Sequence, residues 1–384
     1  MDDRSHGKID VIQGMRGLAA LLVVMWHGSR YFGPYGTGWA GRVFGPGASL
    51  GVGLFFLISG FIMVVTTKTC DGSLVYAIRF MIKRFARVWP TYFIATLLFV
   101  ILIPSRLALF RAADGPWRLL QGLSFIPAAR TPTEAPIFAF PPLPVGWTLN
   151  YEMYFYAFFA VSLAFGRARW VAFATWIFIS LVVVPHFMGS GTGLSLLPST
   201  SYGLQGYIGL IVNPIILLFA TGCLIGVIYQ SRLIIRNTFA LNMAMLVAIV
   251  MVVVQYGTGI RVELSISQWG LTLIPLLLIL SIASKTIPVS PPFVTYLGGI
   301  SFSLYLFHPL VQEGFDYLAL QAGLRAPTGL SAFFITTAAS IAVAILSRRY
   351  LELRLSDAVR DLLMRVTQIG WADKHLVIRG QSVE

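Results

Sequence analysis

The chain has 384 residues, of which 57% are hydrophobic and only 11% charged, and its mean hydropathy is +0.79. Soluble globular domains carry about 25% charged residues, so a water-soluble fold of this size would lack the polar residues to cover its surface, and the chain reads as a multi-span membrane protein. The net charge of +13 would suggest nucleic acid in a soluble protein; here Lys and Arg gathered in cytoplasmic loops account for it, and no nucleic-acid partner is expected.

A bilayer core about 30 Å thick needs roughly 20 apolar helical residues. Ten segments meet or approach that length: 9–32, 49–67, 88–104, 147–165, 170–188, 207–229, 238–256, 268–287, 298–320 and 330–350. The expected fold is an all-α bundle of about ten transmembrane helices. The N-terminal MDDRSHGKID is polar and the apolar run after it lacks a small-residue cleavage site, so that run is expected to stay as the first span. With an even span count, the basic 68–87 segment, both termini and the basic tail share one side, which the positive-inside rule makes cytoplasmic.

Ionisable side chains within spans are costly, about 2.5–3.5 kcal/mol at the centre on insertion scales, and mark function by default. Span one, IDVIQGMRGLAALLVVMWHGSRYF, holds Arg16, His27 and Arg30. Eleven steps of 100° bring Arg16 and His27 to one face, about 16 Å apart along the axis. Between spans two and three, RFMIKRFARVWP gathers Arg79, Lys83, Arg84 and Arg87. Arginine forks suit phosphate, while orientation and anionic headgroups explain the cluster equally well. Cys70 and Cys223 show no metal-ligand or disulfide spacing, and neither a metal nor a disulfide is expected. The stretch from Pro104 to Pro144 holds eight prolines, so it cannot be one helix; its apolar end, FAFPPLPVGW, is expected to fold back onto the outer face.

Span four opens with VGWTLNYEMYFYAFF. Glu152, among Trp147, Tyr151, Tyr154 and Tyr156, needs a cation or donor, and His27 at a matching depth is the expected partner, giving a Glu-oriented general base. Gly222 and Gly226 form a GxxxG in span six that packs helices within or between chains. In span nine, LGGISFSLYLFHPLVQ, Ser301, Tyr305, His308 and Gln312 make one polar stripe facing the bundle interior. His308 is a second acid/base or a substrate-binding donor, and Pro309 frees a backbone carbonyl there. His186 and Glu313 are expected to be structural or rim residues.

Six stretches, IDVIQGMRGLAALLVVMWH, VGLFFLISGF, RFARVWPTYF, VGWTLNYEMYFY, GGISFSLYLFHP and RRYLELRLS, together resemble acyltransferase family 3, a family of bacterial membrane proteins that includes O-acetyltransferases of exopolysaccharide and lipopolysaccharide. The resemblance implies transfer of an acyl group, usually acetyl, from cytoplasmic acyl-CoA to a sugar hydroxyl, with His27 essential and Arg84 and Arg87 holding CoA phosphates. The family's W-S-L-x-x-E glutamate maps onto Glu152, although Thr148 and Asn150 here make the stretch WTLNYE. On this reading His27 and Glu152 are catalytic; Arg16, Lys83, Arg84 and Arg87 bind acetyl-CoA or another acyl-CoA; Trp147, Tyr305 and His308 bind substrate.

His27 then either deprotonates the hydroxyl or carries the acyl group itself. The expected partners are a glycan or lipid-linked sugar acceptor, the lipid bilayer and other polysaccharide-assembly proteins. The expected location is the bacterial inner membrane. Residues 1–356 form the transmembrane domain and 357–384 a short cytoplasmic tail. The alternative is a proton-coupled transporter that uses Arg16, His27, Glu152 and His308 as a relay, or a sensor or scaffold on the same fold.

Overall fold

The computed structural model describes residues 9–127, 135–138, 140–188, 196, 206–287, 290–325 and 327–367. Among the described residues every regular element is a helix. These are α1 (Asp10–Gly28), α2 (Gly38–Thr66), α3 (Leu74–Leu102), α4 (Pro104–Arg111), α5 (Gly115–Leu123), α6 (Trp147–Leu163), α7 (Arg169–Phe178) and α8 (Val184–Phe187). They continue with α9 (Gly206–Ile211), α10 (Ile216–Gln230), α11 (Thr238–Thr258), α12 (Gly270–Ala283), α13 (Pro292–Gln321), α14 (Gly329–Ser347) and α15 (Leu353–Val366). A π-helical turn, Ile179–Val183, joins α7 to α8, and another, Arg348–Glu352, joins α14 to α15.

Eight helical stretches are long and apolar enough to cross a membrane. All ten expected segments are helical, but two fall short of that length: α6 has 17 residues and α12 has 14. The basic 68–87 segment is mostly not a loop. It forms the first half of α3, which starts at Leu74 because the Ser73 side chain accepts a hydrogen bond from the Tyr76 amide at 3.0 Å, the usual service of a serine N-cap. The boundary expected at residue 356 falls inside α15, and 368–384 lie outside the described residues.

Close packing of small residues sets the bundle, as expected where lipid is as apolar as the helix surface. The most extensive helix pairs are α1–α13, α2–α10 and α1–α2. At the α1–α13 crossing, a Cβ on Gly298 would lie 1.8 Å from the Gln13 carbonyl oxygen, and one on Gly17 would lie 2.6 Å from the Gly298 nitrogen. At α2–α10, a Cβ on Gly222 would meet the Leu57 carbonyl oxygen at 2.0 Å and one on Gly60 the Phe219 carbonyl oxygen at 2.1 Å. The Gly222–Gly226 motif is therefore used within the chain.

The described residues of the segment after Pro104 pack on the bundle. Trp89 Nε1 donates to the Leu123 carbonyl at 3.1 Å and the Tyr92 hydroxyl to the Gly122 carbonyl at 3.2 Å, while Phe138, Leu143 and Val145 are buried. These contacts bring the start of α6 against the middle of α3 and α13, where the site lies.

Candidate active site

Two polar clusters occupy the bundle. The first is an arginine end. A cavity of about 210 Å³ is lined by Arg16, Arg84, Arg87, Glu152, Thr148 and Tyr305, among apolar residues of α1, α2, α3 and α6. A second cavity of about 580 Å³ shares Gln13, Arg16 and Arg87 with it and adds Lys83, Arg348, Glu352, Asp357 and Arg360. Two recesses thus meet at Arg16 and Arg87, with five basic side chains around the wider one.

The guanidiniums here are not equivalent. Arg87 forms an ion pair with Glu352, which is 1% exposed and also accepts from the Ser303 hydroxyl at 2.6 Å. Arg84 lies over the Phe80 and Tyr156 rings, 5.3 and 5.5 Å from their centroids, and donates to the Thr66 hydroxyl at 2.7 Å. Neither Arg84 nor Arg16 has a carboxylate ion-pair partner among the described residues. Glu152 accepts from the Ser59 hydroxyl at 3.0 Å and from the Tyr156 hydroxyl. An ionised carboxylate is satisfied by such donors.

The second cluster is a histidine end. His27 on α1 and His308 on α13 have ring centroids 4.9 Å apart, with His308 Nε2 3.3 Å from His27 Nδ1. Each Nδ1 also faces a carbonyl of its own helix, Val23 at 2.9 Å for His27 and Leu304 at 3.2 Å for His308. Around them Arg30 pairs with Asp316 at 2.7 Å and Arg106 with Glu313 at 2.8 Å. Arg30 Nε and Asp316 Oδ1 keep no partner among the described residues.

Tyr305 joins the two ends. It borders the smaller cavity, and its ring lies 6.2 Å from that of His308. Its hydroxyl donates to the Val145 carbonyl at 3.0 Å and lies 2.9 Å from that of Thr148.

The stripe expected on span nine is present: Ser301, Tyr305, His308 and Gln312 are all buried. Depth suggested Glu152 as the partner of His27, but the structure turns Glu152 toward Arg16 and gives His27 the imidazole of His308 instead. Glu152 shares its cavity with Arg16 and Ser59 and therefore lies at the depth of Arg16, not at that of His27. Trp147 packs on Tyr151 at 6.1 Å between ring centroids and borders neither cavity of the arginine end. His186 is exposed and Glu313 serves Arg106. Glu352 lies two residues beyond the apolar run of the tenth expected span, 330–350, where hydropathy gives no sign of burial. The signal was an acidic residue set among the arginines just past an apolar run, and the π turn carries it back into the bundle.

The acyltransferase domain model of family 3 matches residues 9–349. The chain belongs to this family. Among curated proteins it is similar to the exopolysaccharide production protein ExoZ of Rhizobium meliloti (strain 1021), 28% identical over 298 residues, or 76% of this chain and 85% of that protein. Protein 2 in the picA locus of Rhizobium radiobacter is 30% identical over 181 residues, 43% of this chain and 83% of that protein. No solved structure matches the chain significantly. The family-3 match covers the histidine end and all of the arginine end but Glu352, Asp357 and Arg360, and the chain is a multi-pass membrane acyltransferase.

Proposed function

We propose that this acyltransferase moves an acyl group, acetyl by preference, from acyl-CoA onto a sugar hydroxyl of an exopolysaccharide or its lipid-linked precursor. The observation that carries the reading is the run of side chains from the arginine end, past Tyr305, to the histidine pair. Arg16 and Arg84, without carboxylate partners, with Lys83 and Arg87 beside them, are the candidates to hold the phosphates of the donor. The narrow cavity suits its thioester arm. Glu152, already held by Ser59 and Tyr156, offers Arg16 a nearby counter-charge.

His27 is the base at the far end. As the sugar oxygen attacks the thioester carbonyl, its proton passes to His27; the carbon–sulfur bond breaks, and the departing thiolate takes that proton as the thiol. The unused polar atoms of Arg30 and Asp316 suit sugar hydroxyls at this end. Ten crossings with both termini cytoplasmic, in the inner membrane, complete the proposal and put the arginine end on the side where acyl-CoA is made. A transporter relay is a weaker reading, because the intramembrane groups fall into two clusters linked by a tyrosine engaged elsewhere.

Label transfer from [14C-acetyl]acetyl-CoA to the polysaccharide fraction of membranes tests this. The wild-type chain is expected to transfer label, and His27→Ala at matched expression to lose at least about 100-fold, the lower range for a general base. Undiminished transfer by His27→Ala would remove His27 from the chemistry.

A further inference from the structure

His27 and His308 are placed so that their hydrogen bonds decide which nitrogen reacts. A neutral imidazole has one N–H donor and one lone-pair acceptor, and the assignment follows from the network around it. His308 Nδ1 faces the Leu304 carbonyl at 3.2 Å and His27 Nδ1 faces the Val23 carbonyl at 2.9 Å. A carbonyl only accepts, so each Nδ1 must carry the proton. The opposite tautomer would set two nitrogen lone pairs against two carbonyl oxygens within the bundle, where unmet polar groups are most expensive. With Nδ1 protonated on both rings, His308 Nε2 is a lone pair, 3.3 Å from the His27 Nδ1–H. That N–H is shared between the Val23 carbonyl and His308. His27 Nε2 is left as a lone pair with no hydrogen-bond partner among the described residues. His308 is fully buried, whereas His27 is half-buried, so the ring that stays accessible is His27.

We propose that His308 is a positioning residue: it holds His27 in the Nδ1–H tautomer and presents Nε2 as the reacting atom. This assignment rests on the acyltransferase reading above and changes His308 from a substrate-binding group to the orienter of the base. In a Ser-His-Asp triad an acceptor on the far ring nitrogen fixes the tautomer and stabilises the imidazolium. Here that acceptor is a second, neutral imidazole. It needs no buried counter-ion, which a span could hold only at a large desolvation penalty. When His27 takes the hydroxyl's proton at Nε2, the positive charge is shared through Nδ1–H with the lone pair of His308. The proton then leaves with the thiolate and the pair returns to its starting state.

Two measurements test the assignment. The chain has five histidines, so 15N-histidine NMR of the labelled protein in detergent is tractable, with His27→Ala and His308→Gln identifying the two resonance sets. Both rings are expected as the Nδ1–H tautomer; an Nε2–H tautomer at His27 would overturn the proposal. The second measurement is acetyl transfer by His308→Leu and His308→Gln, each shown to be monodisperse with a wild-type unfolding temperature. His308→Leu is expected to lower the maximal rate about 100-fold, less than the roughly 10⁴-fold that the wrong tautomer costs in a serine protease because the Val23 carbonyl still holds the Nδ1–H, with half-saturation by acetyl-CoA unchanged. His308→Gln, whose amide oxygen can take the Nδ1–H, is expected to stay within about tenfold of wild type, equivalent to 1.36 kcal/mol. Equal loss in both variants would make His308 a proton carrier or a packing residue, and no loss in either would make it idle; both overturn the proposal. Failure of the underlying reading shows separately, as unimpaired transfer by His27→Ala.

Discussion

The arginine end and the histidine end solve the same problem, polar groups inside a membrane bundle, in opposite ways. At the arginine end charge is kept and distributed: Glu352 is consumed by Arg87 and Ser303, Glu152 by Ser59 and Tyr156, and Arg16 and Arg84 remain without carboxylate partners. At the histidine end two imidazoles face each other, and the full charges beside them are tied off as Arg30–Asp316 and Arg106–Glu313. Surplus positive charge attracts an anionic ligand. A neutral pair keeps a lone pair ready in a place where a standing ion would be penalised. In the proposed function the difference separates binding from chemistry, and each end can be broken alone.

The largest effect is expected on stability, from Arg87→Ala. Glu352 is 1% exposed, so removing its cation leaves a buried, uncompensated carboxylate. Breaking a buried pair this way costs about 3–5 kcal/mol, and the lower figure applies because the Arg87 side chain is 35% exposed. Thermal unfolding in detergent should show the loss, and Arg87→Ala with Glu352→Gln should recover most of it, since the neutral amide keeps the Ser303 contact. If the double variant is no better than the single, Arg87 acts through something other than Glu352.

Arg84→Gln is expected to do the reverse, sparing stability and weakening the donor. No buried carboxylate depends on Arg84, and one charged hydrogen bond to phosphate is worth about 1.5–3 kcal/mol. Half-saturation by acetyl-CoA should therefore rise roughly 10- to 100-fold while the maximal rate holds, the pattern of lost uniform binding. A fallen maximal rate with unchanged half-saturation would place Arg84 at the transferring group and merge the two ends into one site.

This split between Arg84 and Arg87 was only half legible in the sequence. Hydropathy and the inward stripe on α13 gave the helices and the residues that face inside, because both follow from periodicity and chain length. The cluster RFMIKRFARVWP gave a basic patch. Which arginine is already engaged depends on Glu352, 265 residues away in sequence, and brought back by a π turn that no apolar period announces. The same holds for His27: its spacing from Arg16 was readable along α1, but its partner is set by how α1 and α13 cross at Gly17 and Gly298. Spacing within one helix is a local property, while the direction a side chain meets its neighbour is a property of two.

The smallest effect is expected at the joint between the ends. The Tyr305 hydroxyl is occupied by the Val145 carbonyl and Thr148, so it is not free to move protons, while its ring lies 6.2 Å from that of His308. Tyr305→Phe keeps that ring. It should cost about 1 kcal/mol of stability for the lost hydrogen bond, at the middle of the usual range, because Thr148 retains the Val145 carbonyl at 3.1 Å. The transfer rate should fall by less than about tenfold, or 1.36 kcal/mol of barrier. A larger loss with normal folding would mean that the hydroxyl leaves its two partners during the reaction to meet the substrate. The separation of a binding end from a chemical end would then be a feature of the resting chain alone.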